Sequence, residues 1–124
     1  DRNTALGAFT LFNQNNTTNA NIYNTAVGYN AGFDVTEGEE NTLIGGLAGD
    51  ALKIGNHNVA IGFEALSTSV DGDKNVAIGR RALKLYEDGD GNGHNTAIGS
   101  NSMENTTLQC WPFNVIRCAK YFSR

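Results

Sequence analysis

Asn58-Val59-Ala60-Ile61-Gly62-Phe63-Glu64-Ala65-Leu66 is followed 17 residues later by Asn75-Val76-Ala77-Ile78-Gly79-Arg80-Arg81-Ala82-Leu83. The same frame recurs outward in both directions. NTALG begins at Asn3, NTAVG at Asn24, NTLIG at Asn41 and NTAIG at Asn95. The Asn-to-Asn steps are therefore 21, 17, 17, 17 and 20, and the two long ones carry the insertions NQNNTTNANIY and EDGDGNGH. Three residues after each Gly stands a small residue (Thr10, Ala31, Ala48, Ala65, Ala82, Ser102), then Leu11, Gly32, Gly49, Leu66, Leu83 or Met103. A fixed period of this kind is the mark of a repeat architecture.

The five-residue cores are too short and too β-branched for helices, and they alternate as strands do. One face carries Thr4, Thr25, Thr42, Val59, Val76 and Thr96 with Leu6, Val27, Ile44, Ile61, Ile78 and Ile98. The other carries Asn, then Ala or Leu43, then Gly. The bulky face is expected to form the core, and the bare face to admit a neighbouring backbone. A 17-residue unit cannot bury its own apolar side, but stacked units can. The expected fold is all-β: a parallel β-solenoid of about six coils. Equivalent Asn residues (Asn3, Asn24, Asn41, Asn58, Asn75, Asn95) would form a ladder, with a Gly column at Gly7, Gly28, Gly45, Gly62, Gly79 and Gly99. Six coils at strand spacing give a rod of roughly 29 Å. So thin a coil holds little core, and self-association, most simply of three chains about an axis, would supply the rest.

Composition agrees with a turn-rich chain. The 124 residues contain 15 Gly, 17 Asn and one Pro, with 18% charged residues. Residues 1–105 carry six Lys/Arg and thirteen Asp/Glu, net −7, and residues 106–124 carry Arg117, Lys120 and Arg124, net +3, which together give −4. An acidic body offers no electrostatic footprint for nucleic acid. No apolar run reaches the roughly 20 residues of a membrane span. The chain opens at Asp1 with neither Met nor a secretory pattern, which reads as a processed chain or a piece of a longer one.

These NTAIG/NVAIG-x-x-A-L units resemble the head repeats of YadA-like trimeric autotransporter adhesins and the similar repeats of phage and viral tail-fibre proteins. The resemblance covers residues 3–105. It implies a homotrimeric left-handed β-roll in an extracellular, cell-surface or virion fibre. It also implies self-assembly, with a host-surface receptor or glycan as partner, and it transfers no catalytic residue or cofactor. The unit length departs from the autotransporter pattern, and no coiled-coil stalk or membrane anchor accompanies the repeats.

Residues 106–124 hold the only Pro, the only Trp and both cysteines, and they leave the repeat. They read as a cap over the last coil or as a docking strand for another subunit through FNVIR. Cys110 and Cys118, eight apart, fit either a disulfide closing a small hairpin or packed thiols, and the spacing is not that of a zinc site. Asp88, Asp90 and Asn92 match the opening of a calcium loop, but Gly99 stands where the bidentate Glu belongs. Asp71 and Asp73 echo the pattern one coil earlier. A plain Gly/Asp turn is the competing reading. His57 and His94 share a coil-corner position with Arg2, Tyr23, Glu40 and Lys74. Asn15, Asn16 and Asn105 begin glycosylation sequons. Phe9, Phe12, Tyr23, Tyr29 and Phe33 crowd the first two units, as a receptor or glycan platform or as packing surface.

The reading that follows is a non-enzymatic structural and adhesive module. Two alternatives compete with it. Each unit contains one acyltransferase-type hexad, such as Ile61–Leu66, but the next six residues break the pattern. A Thr ladder would suit ice binding, but Val59 and Val76 interrupt it, and the neighbouring Ile column is better explained as core.

Overall fold

The computed structural model describes residues 2–17, 22–86 and 93–105. It is all-β, with six three-residue strands: β1 (Thr4–Leu6), β2 (Thr25–Val27), β3 (Thr42–Ile44), β4 (Val59–Ile61), β5 (Val76–Ile78) and β6 (Thr96–Ile98). All pair in parallel, in sequence order, as one sheet. Each strand is the same segment of its repeat, so the chain is a β-solenoid that advances one strand per turn. Register holds across both insertions: Thr4 pairs with Thr25 and Val76 with Thr96. Among the described residues no helix is long and apolar enough to cross a membrane.

The Asn column forms the expected ladder. Each Asn Oδ1 accepts the backbone N–H of the Asn one coil on, at 2.8–3.1 Å across all five junctions. The Nδ2 groups of Asn24, Asn41 and Asn58 donate across the coil to the carbonyls of Gly38, Gly55 and Gly72 at 2.7, 2.9 and 2.7 Å. Asn24, Asn41, Asn58 and Asn75 are fully buried. Burying an amide is tolerated only when its donors and acceptor are used, and the ladder uses them.

That ladder overturns the expectation about the faces. Asn must point inward to reach Gly38, Gly55 and Gly72, and alternation then places Ala or Leu inward and Thr/Val and Ile outward. The core is the bare face: Ala26, Leu43, Ala60, Ala77 and Ala97 pack against Ala31, Ala48, Ala65 and Ala82 and against Leu11, Leu66 and Leu83. The bulky column lies outside, with Leu6 67%, Ile44 37% and Ile98 66% exposed. The interior is too narrow for an Ile in every rung, because the return limb also contributes Val35, Leu52, Ser69 and Tyr86, one buried residue per coil.

The Gly column allows backbone to lie on backbone. Gly7, Gly28, Gly45, Gly62 and Gly79 have φ between +128° and +137°, and a Cβ on any of them would stand 2.5–2.7 Å from the carbonyl oxygen of the Gly one coil on. The coil corners are left-handed. Tyr23, Glu40, His57, Lys74 and His94, each just before the repeat Asn, have φ from +53° to +69°. In the return limb two more left-handed residues alternate with the small one, as in Glu64-Ala65-Leu66 and Arg81-Ala82-Leu83. A left-handed L-residue costs roughly 1–2 kcal/mol. Most of them are held by an N–H that bonds to an adjacent coil: Glu64 to Gly46 at 3.0 Å, Leu66 to Ala82 at 3.0 Å.

Candidate functional site

Among the described residues, nothing covers two surfaces of the solenoid. The first is the outward face of the sheet. Because the strands are in register, Thr4, Thr25, Thr42, Val59, Val76 and Thr96 form one column, and Leu6, Val27, Ile44, Ile61, Ile78 and Ile98 form another beside it. Aliphatic side chains thus run the length of the coil stack on the outside. The sequence identifies these residues but suggests the wrong compartment for them, since a three-residue strand shows alternation without saying which side is in.

The second surface lies at the N-terminal end. Phe12 and Phe33 occupy the same position of successive coils and stack, with centroids 5.4 Å apart and planes 3° apart. Phe9 meets Phe12 edge-on at 5.6 Å and Tyr29 edge-on at 6.1 Å. Phe9, Phe12 and Tyr29 are about half exposed or more. The grouping expected from sequence is therefore real for these four rings. Tyr23 stands apart, its hydroxyl accepting from Arg2 at 2.6 Å while the guanidinium lies over its ring.

Further along the stripe that begins with Phe12 and Phe33, the next rung is Asp50. Burial raises its carboxyl to about 6, with Asp34 and Glu64 adding to the rise. Its Oδ1 is enclosed and has no hydrogen-bond partner among the described residues. Beyond it, Glu64 accepts from Arg81 at 2.7 Å and Lys84 at 2.8 Å, and Arg81 lies 3.6 Å from Glu104. Lys84, then Arg81, hold the Glu64 carboxyl below its usual range.

The candidate calcium ligands Asp88, Asp90 and Asn92 and the cysteines Cys110 and Cys118 lie outside the described residues. The echo at Asp73 has a structural role. Its Oδ1 accepts the Asn56 N–H at 2.6 Å, as Asn56 Oδ1 accepts the Glu39 N–H at 2.8 Å. This second short ladder is invisible in the sequence because Glu39, Asn56 and Asp73 differ in type. Among the described residues no three His, Cys, Asp or Glu side chains gather closely enough to hold a metal. His57 pairs with Glu40 of the preceding coil at 3.0 Å, both about half exposed. The chain matches no described protein family, no curated protein and no solved structure.

Proposed function

We propose that this chain is a structural module of an extracellular or virion surface fibre, acting by self-association and not by catalysis. The outward Thr/Val and Ile columns carry the proposal. An aliphatic stripe along the whole stack is what a partner covers, and a second and third copy of the same chain present the same stripe in the same register. Three copies around an axis bring the stripes together as a shared core, in keeping with the resemblance to trimeric β-roll heads. The Phe9, Phe12, Tyr29 and Phe33 group is the surface we assign to a host receptor or glycan, because stacked and edge-on rings present both flat faces and rims.

Light scattering after size exclusion tests the association. The expected mass is three times the 13.3 kDa chain. Ile61→Lys with Ile78→Lys should give a folded monomer, because both side chains point out of the coil. A wild-type monomer at high concentration refutes the proposal.

The outward position of the Thr column favours one other reading, ice binding, since the Ile column beside it is not core. Thermal hysteresis that is lost in Thr42→Lys would support that reading against the fibre.

A further inference from the structure

On the face that carries the rings, the side chain two residues after one repeat Gly meets the side chain five residues after the next. Glu64 Oε2 accepts from Lys84 at 2.8 Å in this way, and Arg81 lies 3.6 Å from Glu104. In the coils of β2 and β3 the same two places belong to Asn30 and Asp50, both half-buried. Asn30 Oδ1 and Asp50 Oδ1 are each enclosed, and neither has a hydrogen-bond partner among the described residues. An enclosed acceptor without a donor is costly. An amide oxygen and a carboxylate oxygen cannot satisfy each other, since both only accept, but a protonated carboxyl carries an O–H donor. We propose that the neutral Asp50 carboxyl donates to Asn30 Oδ1, a tie between the two coils that closes in acid and opens when Asp50 ionises.

The surroundings favour the neutral form. Burial raises the carboxyl to about 6, and the charges of Asp34 on the preceding coil and Glu64 on the following one add to the rise. The Asp50 backbone N–H and Lys84, two coils on, oppose it, but the Lys84 ammonium is already bound to Glu64. Asp50 binds its proton more tightly folded than unfolded, so the tie is complete below about pH 4 and is lost as pH rises through about 6. Backbone bonds join the same two coils around it: Leu47 donates to the Tyr29 carbonyl, Gly32 to Ala48 and Asp34 to Asp50, each at 2.9 Å. Tyr29 precedes Asn30, and Phe33 occupies the rung before Asp50. One proton therefore sets how firmly two members of the ring group are held. This switch goes beyond the fibre reading and would operate equally in a monomer.

Carboxyl 13C NMR of the full chain follows the titration, with the Asp50 signal assigned by its loss in Asp50→Asn. Asn30→Arg copies the Arg81–Glu104 pair, and Arg81 holds its place at φ +58°, beside +55° for Asn30, so the backbone accepts the change. It should lower the Asp50 midpoint by about 1–3 pH units. Asn30→Asp sets two carboxyls on one proton and should raise the midpoint above its wild-type value. Amide exchange reads the tie itself. Corrected for intrinsic rate, the Asp34 amide should lose protection roughly tenfold between pH 5 and pH 7.5. The Thr68 N–H, which bonds to Lys84 at 3.1 Å in the equivalent place, should change less, since coils of a solenoid open separately. Asp50→Asn, whose amide donates at every pH, should hold the Asp34 amide at its acid level throughout, and Asn30→Arg should invert the trend. A midpoint left near 6 by both Asn30 variants overturns the proposal, because the two side chains then do not meet. So does Asp34 protection that stays constant through the midpoint. An Asn30 Nδ2 proton that moves downfield as Asp50 ionises also overturns it, since the amide would then serve the carboxylate.

Discussion

Replacing Leu43 with Ala should be repaired by a glycine substitution one segment away. Leu43 is fully buried at a position where every other coil but the first has a buried Ala: Ala26, Ala60, Ala77 and Ala97. It is accommodated because the return limb yields space. A Cβ on Gly49 would lie 2.8 Å from Leu43 Cδ2, and a Cβ on Gly32 would lie 2.8 Å from Leu43 Cδ1. The next two coils reverse the arrangement, with Ala60 opposite Leu66 and Ala77 opposite Leu83. Leu43→Ala removes three carbons from a packed site and should cost about 3 kcal/mol, within the usual range for such truncations. Gly49→Leu alone should cost roughly 1–3 kcal/mol through overpacking against Leu43. Backbone conformation does not forbid it, since Leu66 and Leu83 hold the same position at φ +54° and +50°, beside +57° for Gly49. The double variant rebuilds the next coil's arrangement and should lie within about 1–2 kcal/mol of wild type, the remaining cost coming from the gap left beside Gly32 and from the left-handed backbone of the new Leu. Urea unfolding followed by far-UV circular dichroism, at one protein concentration, measures all four corners of the cycle. The coupling should be about 3 kcal/mol or more in favour of the double variant. Costs that add to within about 0.5 kcal/mol would refute the shared-volume argument.

Three further outcomes follow from the geometry. Gly62→Ala puts a Cβ 2.6 Å from the Gly79 carbonyl oxygen at φ +130°, so it should cost roughly 3–5 kcal/mol from strain and overpacking together. A Cβ on Gly99 meets nothing nearer than Ser102 Cβ at 4.0 Å among the described residues, so Gly99→Ala should bear the strain alone, about 1–3 kcal/mol, and thermal melts should rank the two in that order. Lys74→Gly should stabilise by roughly 0.5–1 kcal/mol, because relief of the left-handed Lys74 backbone, φ +56°, exceeds the entropy cost of glycine; a lower melting temperature would count against it. Asp50 binds its proton more tightly when folded, with the carboxyl raised from 3.8 to about 6, so stability should fall as pH rises from about 4 through 6. Undamped, that is about 3 kcal/mol; the carboxylate is partly exposed, and roughly 1–2 kcal/mol is expected. Asp50→Asn should therefore stabilise at pH 7 and lose its advantage by pH 4, as parallel melts at the two pH values would show.

Much of this fold is legible directly in the chain. The Asn and Gly columns announce themselves by identity at a fixed step, and their physical roles, an amide ladder and a close backbone approach, follow from residue type. The inversion of the two faces has one cause. Ile44, Ile61 and Ile78 look like core by size, but three-residue strands provide only two positions of alternation, too few to say which side is inside. The deciding contacts come from elsewhere: the Asn24–Gly38 bond across the coil and the buried Val35, Leu52, Ser69 and Tyr86 column. That column is illegible because four unlike residues share it. The left-handed corners are equally hidden, since Tyr23, Glu40, His57 and Lys74 show no glycine or asparagine to signal positive φ. The aromatic group is visible as a cluster in sequence, but its stacked and edge-on geometry depends on coil-to-coil register.

The two long repeats bear on how such a chain can change over generations. Both carry their extra residues in the same stretch of the repeat, after the Gln14 or Tyr86 position and before the next repeat Asn, and the sheet returns to register in each case. Variation in the length of the repeat is thus confined to one stretch of it. A gene of this design can acquire new surface loops there, coil by coil, while selection on the amide ladder and the glycine column keeps the scaffold constant. New recognition and conserved architecture then reside in different residues, and mutation in one need not compromise the other.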